Sequence, residues 1–163
     1  MQWDLTPKPA SESETVLVQA MELTDANLSG NVHGGVIMKL CDAAAGISAV
    51  KHCGSRVVTA AMDEMSFIEP VFLGEILTLR AQVNDVGRTS MEVGVRVETE
   101  NLLTGVRRHT NSCYLTFVAV DRNGKPVPVP RLKPETADEI RRYDAAKQRR
   151  ERRLQERISE GRD

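Results

Sequence analysis

Between Val36 and Val50 eleven of fifteen residues are apolar, and at helical spacing they ring the axis instead of forming one stripe. Such a helix, expected over Gly35 to about Lys51, has to be covered on most of its sides. Lys39 and Asp42 interrupt the run, so it does not read as a membrane span. The small residues Ala43, Ala44, Ala45 and Gly46 allow a sheet or a second helix to approach closely. Whatever the rest of the chain forms must wrap this helix.

The rest of the chain supplies strands. Thr15 to Met21 is a short apolar run, and Arg56 to Phe67 is rich in β-branched and apolar residues without helical period, ending at Pro70. Glu75 to Val86 alternates, with Leu77, Leu79, Ala81 and Val83 on one face and Ile76, Thr78, Arg80 and Gln82 on the other. Met91 to Thr99 alternates as well, with Met91, Val93, Val95 and Val97 opposite Glu92, Arg96 and Glu98. Val106 to Val120 is a third long strand. Turns at Gly87-Arg88, Asn101–Gly105 and Asp121–Gly124 make these strands antiparallel hairpins. Pro126, Pro128 and Pro130 rule out a central strand beyond them. One antiparallel sheet on one buried helix is an α+β architecture, and its open edge favours pairing with a second copy.

The ends read differently. Residues 1–13 are polar, carry two prolines and read as a loose arm; residues 14–132 form the domain; residues 133–163 form a charged helical extension. Thr136 and Glu139 fit a capping box, and the helix runs from Thr136 to Glu160 without a breaker. Residues 131–163 hold eleven of the 22 Lys and Arg against eight of the 23 acids, on a chain of net charge −1. The bland account of these arginines is a solvated face with i,i+4 neighbours such as Arg152–Glu156. No nucleic acid is expected as a partner, and no membrane. Cys41, Cys53 and Cys113 are odd in number and lack a CxxC spacing, so they read as free thiols in a reducing, cytoplasmic compartment.

Familiar catalytic motifs are absent: there is no GxSxG, Walker loop, GxGxxG or HExxH. His33, His52 and His109 do not have metal-ligand spacing, and no metal is expected. His52 and Cys53 are adjacent, but neighbours on a helix do not face each other. Two features remain. Asp42 lies among Met38, Cys41, Ala43, Ala44 and Ala45, either as a desolvated carboxylate able to serve as a base or as a helix-surface acid near Lys39. His33-Gly34-Gly35 leads directly into the helix N-terminus, where free amides suit an anion or a developing oxyanion, or where the glycines simply make a turn and cap.

The segments DANLSGNVHGGVIMKLCDAAAGI, RVVTAAMDEMSFIEPVFLGEIL, VGRTSMEVGVRVETENLLTG and TFVAVDRNGKPVPVPRL occur in order over about residues 15–132. With them the chain resembles the acyl-CoA hydrolase family of the hotdog fold. That family includes the cytosolic, brain-type long-chain acyl-CoA hydrolase and short bacterial acyl-CoA thioesterases. The resemblance implies a sheet curled around the Gly35–Lys51 helix, protomers paired edge to edge, and three dimers making a hexamer. It implies hydrolysis of fatty acyl-CoA with no cofactor beyond the CoA of the substrate itself. The family's essential asparagine matches Asn27 and its essential acid matches Asp42, contributed by opposite protomers. The amides that polarise the thioester carbonyl match Gly34 and Gly35. Asp42 would act as general base or as nucleophile. The turn Gly87-Arg88-Thr89-Ser90 would lie near the CoA nucleotide, with Arg56 as a second candidate. The competing expectation is a non-catalytic acyl-CoA sensor on the same fold. A hydratase using His33 fits poorly, because the residues around His33 do not match that pattern.

Overall fold

The computed structural model describes residues 3–63 and 65–161. Period-two alternation dictates its main sheet. Strands β2 (Thr15–Ala20), β3 (Arg56–Met62), β5 (Ile76–Val86), β6 (Ser90–Glu100) and β7 (Arg107–Val120) are antiparallel in the order β2-β5-β6-β7-β3. The two-residue β4 (Ser66–Phe67) continues beside β7, pairing with Asn111 and Ser112. Leu77, Leu79, Val93, Val95, Val97 and Leu115 point inward and are almost fully buried. Burial of each such side chain contributes about 1.5–3 kcal/mol.

The expected central helix is α1, Gly34–Cys53, and its core face is Ile37, Leu40, Cys41, Ala44, Ala45 and Ala49. Gly46 lies against the Phe117 ring, so the run of small residues does bring helix and sheet close. Gly54, at φ +66°, ends the helix in the left-handed conformation that glycine adopts without strain. The covering is incomplete: Met38, Ile47 and Val50 remain exposed, and β3 is an edge of the sheet with no strand on its outer side. The helix expected to be surrounded is therefore open along one face.

Two expectations are corrected. The N-terminal arm is not loose throughout. β1 (Lys8–Pro9) pairs in parallel with β8 (Leu132–Lys133), and a 3-10 turn over Ala10–Ser13 buries Ala10 and Ser13. The Ser13 hydroxyl accepts from Val83 N at 2.9 Å, filling a position on β5 beyond the end of β2. The C-terminal helix α2, Ala137–Ser159, has the expected capping box, but three of its seven arginines pair with buried acids instead of forming a solvated face. It lies on the outer side of the sheet. Arg149 and Arg153 bind Glu92 at 2.7 and 3.0 Å, Arg153 also binds Asp63, and Arg150 sits 3.2 Å from Asp85. The pairing expected within the helix is confined to exposed residues such as Arg152 and Glu156.

Candidate active site

The loop before α1 is folded around one side chain. Asn27 Oδ1 accepts from Ser29 N at 2.8 Å and from Asn31 N at 3.2 Å, and Asn27 N donates to Asn31 O at 2.7 Å. Gly30, at φ +81°, makes the reversal possible. With its oxygen so engaged, Asn27 presents its Nδ2 hydrogens as donors, and no acceptor among the described residues takes them.

The start of α1 separates the two glycines. His33 caps the helix, its Nδ1 accepting from Gly35 N at 2.9 Å. A Cβ on Gly35 would meet that nitrogen at 3.0 Å, so glycine here leaves room for the cap. The Gly35 amide is therefore occupied, contrary to the expectation of a matched pair of free donors. The Gly34 amide has no acceptor among the described residues. A Cβ on Gly34 would meet the Phe67 ring at 3.2 Å, which places that aromatic ring directly against the helix start. Asn27, Gly34, Ile37, Phe67, Pro70 and Val71 line a common cavity of about 340 Å³.

Asp42 is elsewhere. It lies eight residues along α1 from Gly34, about 12 Å at 1.5 Å per residue, and it does not line that cavity. Nor is it buried in the single chain, as its apolar neighbours suggested: it is half-exposed on the side of α1 next to edge strand β3. Its Oδ1 accepts from Thr59 Oγ1 at 2.7 Å. Thr59 was not picked out from the sequence; its only signal there is a lone hydroxyl within the apolar stretch RVVTAAM.

The expected CoA-contacting residues are not brought together by one chain. Ser90 lines a cavity of about 540 Å³ between the sheet and α2, with Gly87, Arg150, Arg153 and Arg157. Exposed Arg88 borders a different cavity with Pro7, Val129, Arg131 and Tyr143. Arg56 borders a third, beside Trp3, Asp121 and Arg122. Thr89 is part-buried, its carbonyl accepting from Ala119 N at 2.9 Å. The sequence places Arg88 and Ser90 two residues apart in one turn, but the turn projects them into different cavities.

The remaining candidates have structural explanations. His52 is buried, its Nε2 is 2.9 Å from Pro130 O, and burial holds its pKa below the ordinary 6.5. Cys53 turns to Ser55, not to His52. Cys41 and Cys113 are buried side by side in the core; the hydrogen bond between them and burial push the Cys41 thiol up, which suits a packing thiol and not a nucleophile. No group of metal-ligating side chains occurs among the described residues, and no helix among them is long and apolar enough to cross a membrane.

Known proteins share this fold. Residues 29–106 match the thioesterase superfamily. The uncharacterized acyl-CoA thioester hydrolase YkhA of Bacillus subtilis is 44% identical over 138 residues, covering 85% of this chain and 80% of that one. The acyl-CoA hydrolase of Staphylococcus aureus, solved with butyryl coenzyme A, coenzyme A and coenzyme A disulfide, is 38% identical with a TM-score of 0.88 over 94% of both chains. Structures of that enzyme also exist with an aspartate, an asparagine or a threonine replaced by alanine. An apo-hexameric acyl-CoA thioesterase is 41% identical with a TM-score of 0.90 over 93% of this chain and 97% of that one. The fold is the hotdog fold of thioester-cleaving enzymes. The chain belongs to the thioesterase superfamily, with its acyl-CoA hydrolases as relatives along nearly its whole length.

Proposed function

We propose that this protein is an acyl-CoA thioester hydrolase whose active site is completed by a second copy of the chain. The observation that carries the shared site is the separation on α1. One thioester carbonyl cannot lie on the Gly34 amide while its carbon is attacked from an acid about 12 Å further along the same helix. Asp42 stands half-exposed beside the open edge of β3, where a second β3 would bring the other copy's Asn27 and Gly34 toward it. The family's hexameric members support three such dimers.

In this reading the carbonyl oxygen is held by the Gly34 N–H and the Asn27 Nδ2 of one copy. A donor of this kind contributes roughly 3 kcal/mol as negative charge develops on that oxygen. Asp42 of the other copy, its Oδ1 fixed by Thr59, takes a proton from water through its remaining oxygen. The hydroxide adds to the carbonyl carbon. The tetrahedral intermediate then collapses, breaking the C–S bond and releasing the fatty acid; the CoA thiolate leaves and is protonated by Asp42. Direct attack by Asp42, giving an anhydride that water then cleaves, uses the same residues. No cofactor takes part. Of the set expected at the nucleotide, Ser90 is the best placed, because Arg157 and two further arginines of α2 share its cavity. Free, buried cysteines suit a cytoplasmic location.

The test is thiol release from a panel of acyl-CoAs. Asp42→Ala and Asn27→Ala each lower kcat at least ~100-fold and leave CoA binding intact. Co-expressing the two variants restores about a quarter of wild-type activity, because mixed dimers keep one whole site. No recovery on co-expression would refute the shared site. Equal inactivity of wild type and both variants, with CoA bound by all, would favour the non-catalytic sensor.

A further inference from the structure

The loop that carries Asn27 rests on the segment between β4 and β5, and that segment is held by one side chain. Arg108, on β7, donates through Nη1 to Glu69 Oε2 at 2.7 Å and to Pro70 O at 3.1 Å. Through Nη2 it donates to both oxygens of Glu75, at 2.8 and 2.9 Å. Its guanidinium carbon lies 5.1 Å from the centre of the Phe72 ring. The segment Glu69–Glu75 is thus gripped at both ends and in the middle. Glu75, 5% exposed, returns a bond by accepting from Phe72 N at 2.9 Å.

The same segment supports the site. Pro70 and Val71 form part of the wall of the cavity that Asn27 and Gly34 line. Val71 O accepts from Val32 N at 2.9 Å, and Phe72 bridges to Asn31. Asn31 in turn accepts from Asn27 N and donates its own N–H to Asn27 Oδ1. Only short backbone links therefore separate the residues Arg108 holds from the amide side chain. Arg108 itself does not line the cavity.

We propose that Arg108 is the positioning residue for Asn27, setting through Glu69–Phe72 where the Asn27 donor meets the substrate carbonyl. The proposal rests on the reading of Asn27 given above. Its geometry requires arginine, because three acceptors on different parts of the segment are met by one planar fork; a lysine ammonium keeps the charge and loses the fork.

A double-mutant cycle on the full oligomer, read as thiol release, tests it. Arg108→Met lowers kcat about 30-fold with KM changed less than about twofold, as expected for a displaced catalytic group. Arg108→Lys stays within about threefold of Arg108→Met. In the Asn27→Ala background Arg108→Met lowers kcat by less than about twofold, since the group it positions is gone. Multiplying effects, full rescue by lysine, or an unchanged kcat in Arg108→Met would each overturn the proposal. Should Arg108→Met not fold, Glu69→Ala removes only the exposed limb. It is then expected to lower kcat about fivefold in the wild-type background and not at all beside Asn27→Ala; any other pattern counts against Arg108. Wild-type activity in Asn27→Ala alone would sink the reading of Asn27, separately from the Arg108 proposal.

Discussion

Replacing Arg149 by methionine tests how α2 is held. Arg149 meets Glu92 three times, Nη2 to Oε1 at 2.7 Å and Nε to the two oxygens at 3.2 and 3.3 Å, and its guanidinium carbon lies 3.6 Å from the centre of the Tyr114 ring. The Glu92 side chain is 2% exposed. Removing a partner from a buried carboxylate costs about 3–5 kcal/mol when nothing replaces it. Arg153 stays 3.0 Å from Oε2, which reduces the loss to about 2–3 kcal/mol, and the lost ring contact returns about 1 kcal/mol to the cost. About 3 kcal/mol in a chain of this length lowers Tm by roughly 6–12 °C. Arg152→Met in the same helix is the control. It makes the same change of charge and helix propensity, but Arg152 reaches only Glu156, at 3.9 Å with both exposed, so the expected change is under about 2 °C. The assay is calorimetric unfolding at one fixed protein concentration, because an oligomer's Tm depends on it. Equal losses in the two variants would refute the claim that the helix is docked through buried charge.

Three further outcomes follow from single contacts. Thr59→Val removes the hydroxyl that holds Asp42, and kcat for thiol release should fall at least about tenfold with the fold intact, the worth of a hydrogen bond to a charged group. Asp85 is buried with one oxygen unpartnered among the described residues, and burial outweighs the pull of Arg150 and holds its pKa above the ordinary 3.8. The native state therefore binds the proton more tightly than the unfolded chain, and Asp85 makes stability fall as pH rises above that value; urea titrations of Asp85→Asn should show that slope removed. His52 works in the opposite direction, because burial lowers its pKa: its contribution is complete above 6.5 and is lost as pH falls below it, so His52→Gln should flatten the acid limb of the same titration.

Most of the hotdog sheet was legible because period-two patterns are local. Leu77 to Val83 and Met91 to Val97 name their buried faces directly, and the Thr136–Glu139 box marks the start of α2 within a residue. The docking of α2 was not legible in this way. Its partners Asp63, Asp85 and Glu92 lie about 60 to 90 residues away in sequence, on or just past strands whose polar face reads as wet until something covers it. Charged residues carry no periodicity that tells a solvated pair from a buried one. The arm failed for a related reason: Ser13 fills a gap at the end of β2, a need created by strand pairing and invisible in the arm's own composition.

The site divides along the same line. Asn27 and Gly34 belong to a contiguous loop and cap, so the segment DANLSGNVHGG contains their local hydrogen bonds, though not the Val71 and Phe72 backbone on which the loop rests. What it could not show is that His33 takes the Gly35 amide, which depends on a rotamer. Asp42 is the more instructive case. Its apolar neighbours in sequence promised a buried acid, yet only Cys41, Ala44 and Ala45 point to the core, while Asp42, like Met38 and Ala43, lies on the outer part of the helix, beside Thr59 of β3. In the proposed mechanism, an acid set in an apolar helix, tied by one oxygen to Thr59 and placed too far from the Gly34 amide of its own chain, needs a second copy to complete its site. The exposed Met38, one turn before it on the helix, and the outer edge of β3 make that side of the chain an interface in waiting. On that mechanism a second copy would both cover this surface and bring a substrate carbonyl to Asp42, so assembly and catalysis are expected to fail together. An exposed-edge substitution such as Val58→Lys should then yield monomers that bind no thioester productively, although every catalytic residue is present.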